Sequence, residues 1–168
     1  MAGVDSGTFP GNGDAELFER EIGRLAKRNQ LPLPGGDLRS DGRNLRGNAQ
    51  RDGLDTVQVA VQQLTEYLSG KRKHFHVTLV HVPATPFQLE VWEALNEIPF
   101  GEVRTYAEVA EAIGRPRAMR AIGNANHVNP WPVIVPCHRV VARHGIGGYG
   151  GGIDVKRFLL ELEGVTYD

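Results

Sequence analysis

A chain with one cysteine, Cys137, among 168 residues has no internal partner for it. A disulfide framework is excluded, and the thiol fits a reducing compartment. No stretch approaches the roughly 18 consecutive apolar residues that a membrane helix needs. Met1 to Pro10 lacks the basic region and apolar run of a signal peptide, so the cytoplasm is the expected location. Acidic residues are missing from one long stretch: none lies between Glu111 and Asp154, whereas Arg115, Arg117, Arg120, Arg139 and Arg143 do. A net charge of −1 by itself argues against a nucleic-acid partner. A local cationic face nevertheless attracts phosphates on a protein that is neutral overall. A solvated scatter of arginines fits the same composition equally well. The acids Glu90, Glu93, Glu97, Glu102, Glu108 and Glu111 are expected on the two helices before the basic stretch.

What is present suffices for a packed core without disulfides or metals, since 40% of the residues are hydrophobic. Residues 1–53 are the least patterned. Asp14 to Asn29 shows a helical spacing through Leu17, Ile22, Leu25 and Ala26, and Pro32 to Gly53 reads as loop or partly disordered chain. Leu54, Val57, Val61, Leu64 and Leu68 then recur at steps of three and four, which predicts an amphipathic helix ended by Gly70. Phe75 to Val82 alternates and is rich in β-branched residues, which predicts a strand. Thr85-Pro86-Phe87-Gln88 and Thr105-Tyr106-Ala107-Glu108 are capping boxes, each opening a helix. The second helix runs to Gly114, and Pro116 is expected to restart a helix at once, giving a helix-turn-helix outline. Val133-Ile134-Val135 reads as a short buried strand leading to Cys137. After a glycine-rich loop, Gly145 to Gly152, Asp154 is expected to cap a last helix closed by Gly164.

A thiolate is the reactive form of cysteine, and a nearby cation lowers its pKa. Cys137 has His138 and Arg139 beside it; a histidine acts as general base when a carboxylate such as Glu163 fixes its tautomer. A lone cysteine is more often an inert core residue, and composition alone favours that reading. The glycine loop lacks the lysine and helix of a phosphate-binding loop. It reads as an ordinary mobile loop, or as a wall whose Tyr149 closes over a flat ligand. His74, His76 and His81 read as surface histidines rather than metal ligands, because no cysteine or acid accompanies them.

Taken together, residues 54–168 resemble the O6-alkylguanine-DNA alkyltransferases, the methylated-DNA–protein-cysteine methyltransferases. Thr-Pro-Phe-Gln with Val-Trp, Ile-Pro-Phe-Gly-Glu-Val-Arg-Thr-Tyr and Arg-Ala-Ile-Gly-Asn-Ala occur in the family's order. Asn-Pro, Pro-Cys-His-Arg-Val, Gly-Tyr-Gly-Gly-Gly and Leu-Glu-Gly follow. The resemblance implies an α/β (α+β) protein. In it a small N-terminal α/β domain (1–83), degenerate or shortened over 1–53, precedes a winged helix-turn-helix-like alkyltransferase domain (84–168). It implies a DNA repair protein that moves the alkyl group of O6-alkylguanine, and of O4-alkylthymine, onto Cys137. The transfer is irreversible, occurs once per molecule and needs no cofactor or metal.

The same resemblance assigns roles to residues. His138 takes the thiol proton through a water, Glu163 holds His138, Asn129 braces the active-site turn, and Tyr106 helps the guanine leave. Arg120 enters the base stack from the recognition helix, Ala118 lets that helix lie close to DNA, and Arg117 and Thr105 add DNA contacts. Val140 (through its carbonyl) and Tyr149 line the guanine pocket, with Pro132, Gly150, Gly151 and Gly152 at its rim. The implied partner is the minor groove of double-stranded DNA bearing alkylated bases, met by a monomer with no membrane contact. Extruding the damaged base costs roughly a few kcal/mol, which Arg120 offsets by filling the stack. Two alternatives stand beside this: a damage-binding module without chemistry, which retention of Cys137, His138 and Glu163 opposes, and a Cys-His hydrolase.

Overall fold

The computed structural model describes residues 46–80 and 82–167, and of residues 46–55 the backbone alone. The helical pattern of Asp14 to Asn29, the start of the loop expected from Pro32, and His81 lie outside the described residues.

Helix α1 spans Arg46–Leu68. It begins eight residues before Leu54 and takes in positions 46–53, which were expected to be loop. Its contact face also differs from the aliphatic stripe: Val57 and Val61 are 60% and 58% exposed, while Gln63 and Tyr67 are buried. Specific bonds select that face. The Gln63 amide donates to the carbonyl of His76 and accepts from its N–H. The Tyr67 ring packs on Phe75 and Phe100. Gly70, with φ of +70°, turns the chain out of the helix.

Residues 75–80 keep the alternating exposure expected of Phe75 to Val82, but no β-ladder forms there among the described residues. A strand is defined by its neighbour, and here the backbone groups of His76 are satisfied by a side chain instead.

Both capping boxes form. Thr85 and Gln88 open α2 (Pro86–Asn96), and Thr105 and Glu108 open α3 (Tyr106–Ala112). Of the expected helical acids, Glu97 is the C-cap of α2 and Glu102 lies between helices. Helix α4 spans Met119–His127, so the restart comes three residues later than Pro116. The intervening turn is closed by the Ala118 N–H donating to the Arg115 carbonyl.

Val133 to Val135 is a turn, not a strand. The N–H of Val135 donates to the Trp131 carbonyl at 2.8 Å, and Val133 sits at φ of +74°. Prolines at 130, 132 and 136 remove the donors that a strand needs. The one sheet among the described residues pairs β1 (Arg104–Thr105) in parallel with β2 (Val140–Val141), Arg104 opposite Val140. The last helix, α5, spans Ile153–Leu162 with Gly152 as its N-cap at φ of +98°. Asp154 lies in its first turn and does not cap it. Gly164, at φ of +83°, follows its end.

Val91, Trp92 and Leu95 of α2, Val109 and Ala110 of α3, and Ile122 and Ala125 of α4 form one buried cluster with Val135, Cys137 and Val140. The Trp92 indole N–H donates to the Ala125 carbonyl at 3.1 Å and so sets the spacing of α2 and α4. Helices around a small sheet give a mixed α/β fold. No described helix is long and apolar enough to cross a membrane.

Candidate active site

The segment after the Val133 turn enters a single 3₁₀ turn, Cys137–Arg139, and not the strand exit expected for Cys137. Tight winding sends the three consecutive side chains in different directions, and all three are buried. Cys137 faces a cavity of about 260 Å³ walled by Tyr106, Asn126, His127, Gly148, Tyr149 and Gly150.

Asn129 fixes the thiol from the other side. Its amide nitrogen donates to the Val135 carbonyl at 2.9 Å and to Cys137 Sγ at 3.2 Å. Its oxygen accepts from the Trp131 N–H. Burial pushes the Cys137 thiol pKa up, while the Asn129 hydrogen bond and the Lys156 charge pull it down; the net direction is up. The resting group is therefore a thiol, and reaction needs a base.

His138 supplies one. Its Nε2 lies 2.8 Å from Glu163 Oε1, and both side chains are fully buried. Nε2 then carries the hydrogen that the carboxylate accepts, which leaves Nδ1 with a lone pair. Nδ1 is buried and meets no protein partner. Burial keeps the His138 pKa below its usual value, against the opposing pull of Glu163, so the ring rests neutral.

Glu163 is itself held by several donors. Arg139 reaches both carboxylate oxygens, through Nε at 2.9 Å and Nη2 at 3.0 Å. Tyr67 donates to Oε1 at 2.5 Å and the Gly101 N–H to Oε2 at 3.2 Å. Burial alone raises a carboxyl pKa, but these bonds, led by those from His138 and Arg139, bring it to about 2. Gly101 sits at φ of +80°, and a Cβ there would lie 3.0 Å from the Glu163 carbonyl oxygen. That turn has room for glycine alone.

Of the anticipated pocket residues, Tyr149 and Gly150 line the cavity and Tyr106 stands between it and a second groove. Pro132 and Gly151 are partly buried, Gly152 is exposed, and none of the three lines the cavity wall. The carbonyl of Val140 accepts from Lys156 Nζ, which also donates to the Gly148 carbonyl. The second groove is bordered by Thr105, Met119, Arg120, Asn124 and Arg143. Arg117 and Arg120 are exposed, and Ala118 is the N-cap of α4.

The arginine set divides. Arg139 is buried on Glu163, and Arg115 pairs with Glu90 and lies over the Phe87 ring. Arg117, Arg120 and Arg143 are exposed. Among the described residues no group of three metal-ligating side chains occurs.

Tyr67, Lys156 and Asn126 are site residues that the sequence did not single out, and Arg139, named there as a cation beside Cys137, bonds Glu163 instead. For Lys156 a signal exists: it shares the stripe of Val155, Leu159 and Leu160, where a charge is out of place unless it has work inside.

Residues 86–165 match the family model of the 6-O-methylguanine DNA methyltransferase DNA-binding domain. The methylated-DNA–protein-cysteine methyltransferase of Methanosarcina acetivorans is 53% identical over 106 residues, covering 62% of this chain and 67% of that one. The constitutive enzyme of Bacillus subtilis is 44% identical over 122 residues, covering 71% and 73%. Mycobacterium tuberculosis OGT, solved in complex with DNA, superposes with a TM-score of 0.61 at 52% identity over 63% of this chain and 66% of that one. This chain thus spans about two thirds of the length of several of these relatives. The O6-methylguanine-DNA methyltransferase of Pyrococcus kodakaraensis gives a TM-score of 0.55 at 32% identity over 90% and 82%. By these identities and coverages, the chain belongs to the methylated-DNA–protein-cysteine methyltransferase family of DNA repair proteins.

Proposed function

We propose that the protein repairs DNA by taking the alkyl group of O6-alkylguanine onto Cys137, and that residues 84–168 form the unit that binds the DNA. The observation that carries this reading is the arrangement around Cys137 and His138: Asn129 holds the buried thiol, and Nε2 of the next residue in the chain is tied to an ionised Glu163, leaving Nδ1 without a protein partner. The Cys137 proton passes through a water to Nδ1. The sulfur then attacks the alkyl carbon in line with its bond to O6, and the electron pair of that bond leaves on the guanine. Tyr106, whose hydroxyl lies 3.5 Å from the Gly148 carbonyl at the cavity wall, donates to the departing base. Asn129 holds the thiol in place.

Tyr149 and Gly150 flank the base, with Val140, Pro132, Gly151 and Gly152 supporting the rim. The helix-turn-helix formed by α3 and α4 presents Arg120 to the gap left by the extruded nucleotide, with Ala118, Arg117 and Thr105 against the minor groove. A minor groove offers little sequence information, which suits a scanner of damage. O4-alkylthymine is a further substrate, and the protein acts as a cytoplasmic monomer. A thioether is a poor leaving group and no second thiol exists in the chain, so one molecule performs one transfer.

Incubation with a duplex carrying O6-methylguanine, followed by intact-mass measurement, tests this. One added methyl that is absent from Cys137→Ala is the expected result. Binding without a change in mass returns the protein to a damage-binding module.

A further inference from the structure

We propose that Tyr67, on the helix preceding the domain that carries the cysteine, is a positioning residue of the His138–Glu163 pair. This rests on the alkyl-transfer reading and deepens it. The matched family domain begins at residue 86, yet Tyr67 has no exposed surface and its hydroxyl donates to Glu163 Oε1 at 2.5 Å. The same hydroxyl lies 3.5 Å from His138 Nε2. Oε1 therefore receives three donors: the imidazole at 2.8 Å, Arg139 Nη2 at 3.0 Å and the phenol. The Tyr67 ring centroid lies 5.3 Å from that of Phe75 and 6.2 Å from that of Phe100.

The physical role follows from competition for one oxygen. When His138 accepts the thiol proton, the imidazolium is stabilised by Glu163 in proportion to the charge left on Oε1. A phenol held in a short bond withdraws part of that charge, so His138 stays neutral and ready at lower pH. Burial and the charge of Glu163 both push the Tyr67 pKa up, so the hydroxyl remains a donor throughout and takes no proton from the reaction. Among the described residues, the charged groups that act on the pair are Arg139 from the 3₁₀ turn and Lys156 from α5, and the Gly101 N–H from the turn before β1 also bonds Glu163. Among the described residues of α1, Tyr67 alone bonds the pair, so the site is incomplete without residues outside 84–168.

The test is single-turnover methyl transfer from an O6-methylguanine duplex, followed by intact mass across neutral and mildly acidic pH. It compares the full wild-type chain, Tyr67→Phe and Phe75→Leu. Tyr67→Phe keeps the ring and loses the donor. It is expected to transfer about tenfold more slowly at neutral pH, as befits loss of a hydrogen bond to a charged group, with its acidic limb moved to higher pH. Phe75 packs on Tyr67 without reaching Glu163, so Phe75→Leu is expected to lower the melting temperature and leave that limb in place. A Tyr67→Phe protein with the wild-type rate and limb overturns the proposal. So does one slowed by the same factor at every pH, because that is packing alone. If the wild-type chain gains no methyl, the transfer reading fails and this one falls with it.

Discussion

The amide nitrogen of Asn129 donates to the sulfur of Cys137 at 3.2 Å and to the carbonyl of Val135 at 2.9 Å. One side chain thus ties the nucleophile to the turn that presents it, and Val133 holds its left-handed conformation inside that turn. Asn129→Ala leaves a buried carbonyl without its donor and removes a bond that favours the thiolate. Stability is expected to fall by about 2 kcal/mol and methyl transfer to slow by at least about tenfold. Denaturant melts and single-turnover mass kinetics check the two separately. Unchanged transfer in a folded variant removes Asn129 from the machinery.

Lys156 has no exposed surface. Its ammonium bonds the carbonyls of Val140 and Gly148 and so joins β2 to the loop that walls the cavity. Burial brings its pKa down to about 8, against the pull of Cys137, and its charge favours the thiolate in return. Lys156→Met keeps most of the volume and removes the charge. Labelling of Cys137 by iodoacetamide is then expected to need a higher pH than in the wild type. An identical labelling profile disproves the electrostatic link.

The helix starts at Pro86 and Tyr106 were legible because a capping box is local: the four residues that signal it also make it. Cys137, His138 and Glu163 were named as a possible nucleophile, base and carboxylate, and the family motifs gave them their roles; their convergence is non-local, resting on α5 returning its end to the 3₁₀ turn. Phe75 to Val82 misled because alternation records which side of the chain is covered, and that part holds. It does not record whether another strand lies alongside. The turn at Val133 was hidden behind three β-branched residues, although the prolines around them carried the contrary message. Tyr67 sat in plain view on a helix whose valines looked like the core face; its role depends on a carboxylate 96 positions away.

Acid is expected to destabilise the protein through the same pair. His138 has a folded pKa below its usual value, so the stability it contributes is present above about pH 6.5 and declines as pH falls further. Glu163 is held at about 2 against an ordinary value near 4.5. Its contribution is present above the unfolded pKa and is lost as pH falls from there toward 2, on the order of 3 kcal/mol in all. Denaturation midpoints measured between neutral and acidic pH should therefore drop in this window. Glu163→Gln, which strands the Arg139 charge, should be much less stable at neutral pH and show a shallower acid dependence. Equal slopes for both proteins contradict the assignment.

Arg120 is exposed at the start of α4, beside a groove that shares Tyr106 with the cysteine cavity. If its guanidinium fills the gap left by an extruded base, its removal costs only where a base must be extruded. Arg120→Ala is therefore expected to slow methyl transfer from duplex DNA by about tenfold or more, since losing the filler returns part of a few kcal/mol of unstacking. Reaction with free O6-benzylguanine, which needs no extrusion, should keep its wild-type rate. If Arg117 meets phosphate alone, Arg117→Ala should weaken duplex binding, reduce its salt dependence by about one charge, and leave the rate at saturating DNA unchanged. The two variants thus separate attraction from extrusion. Equal slowing of Arg120→Ala on duplex and free base would place this arginine in the chemistry or in the fold, not in the stack.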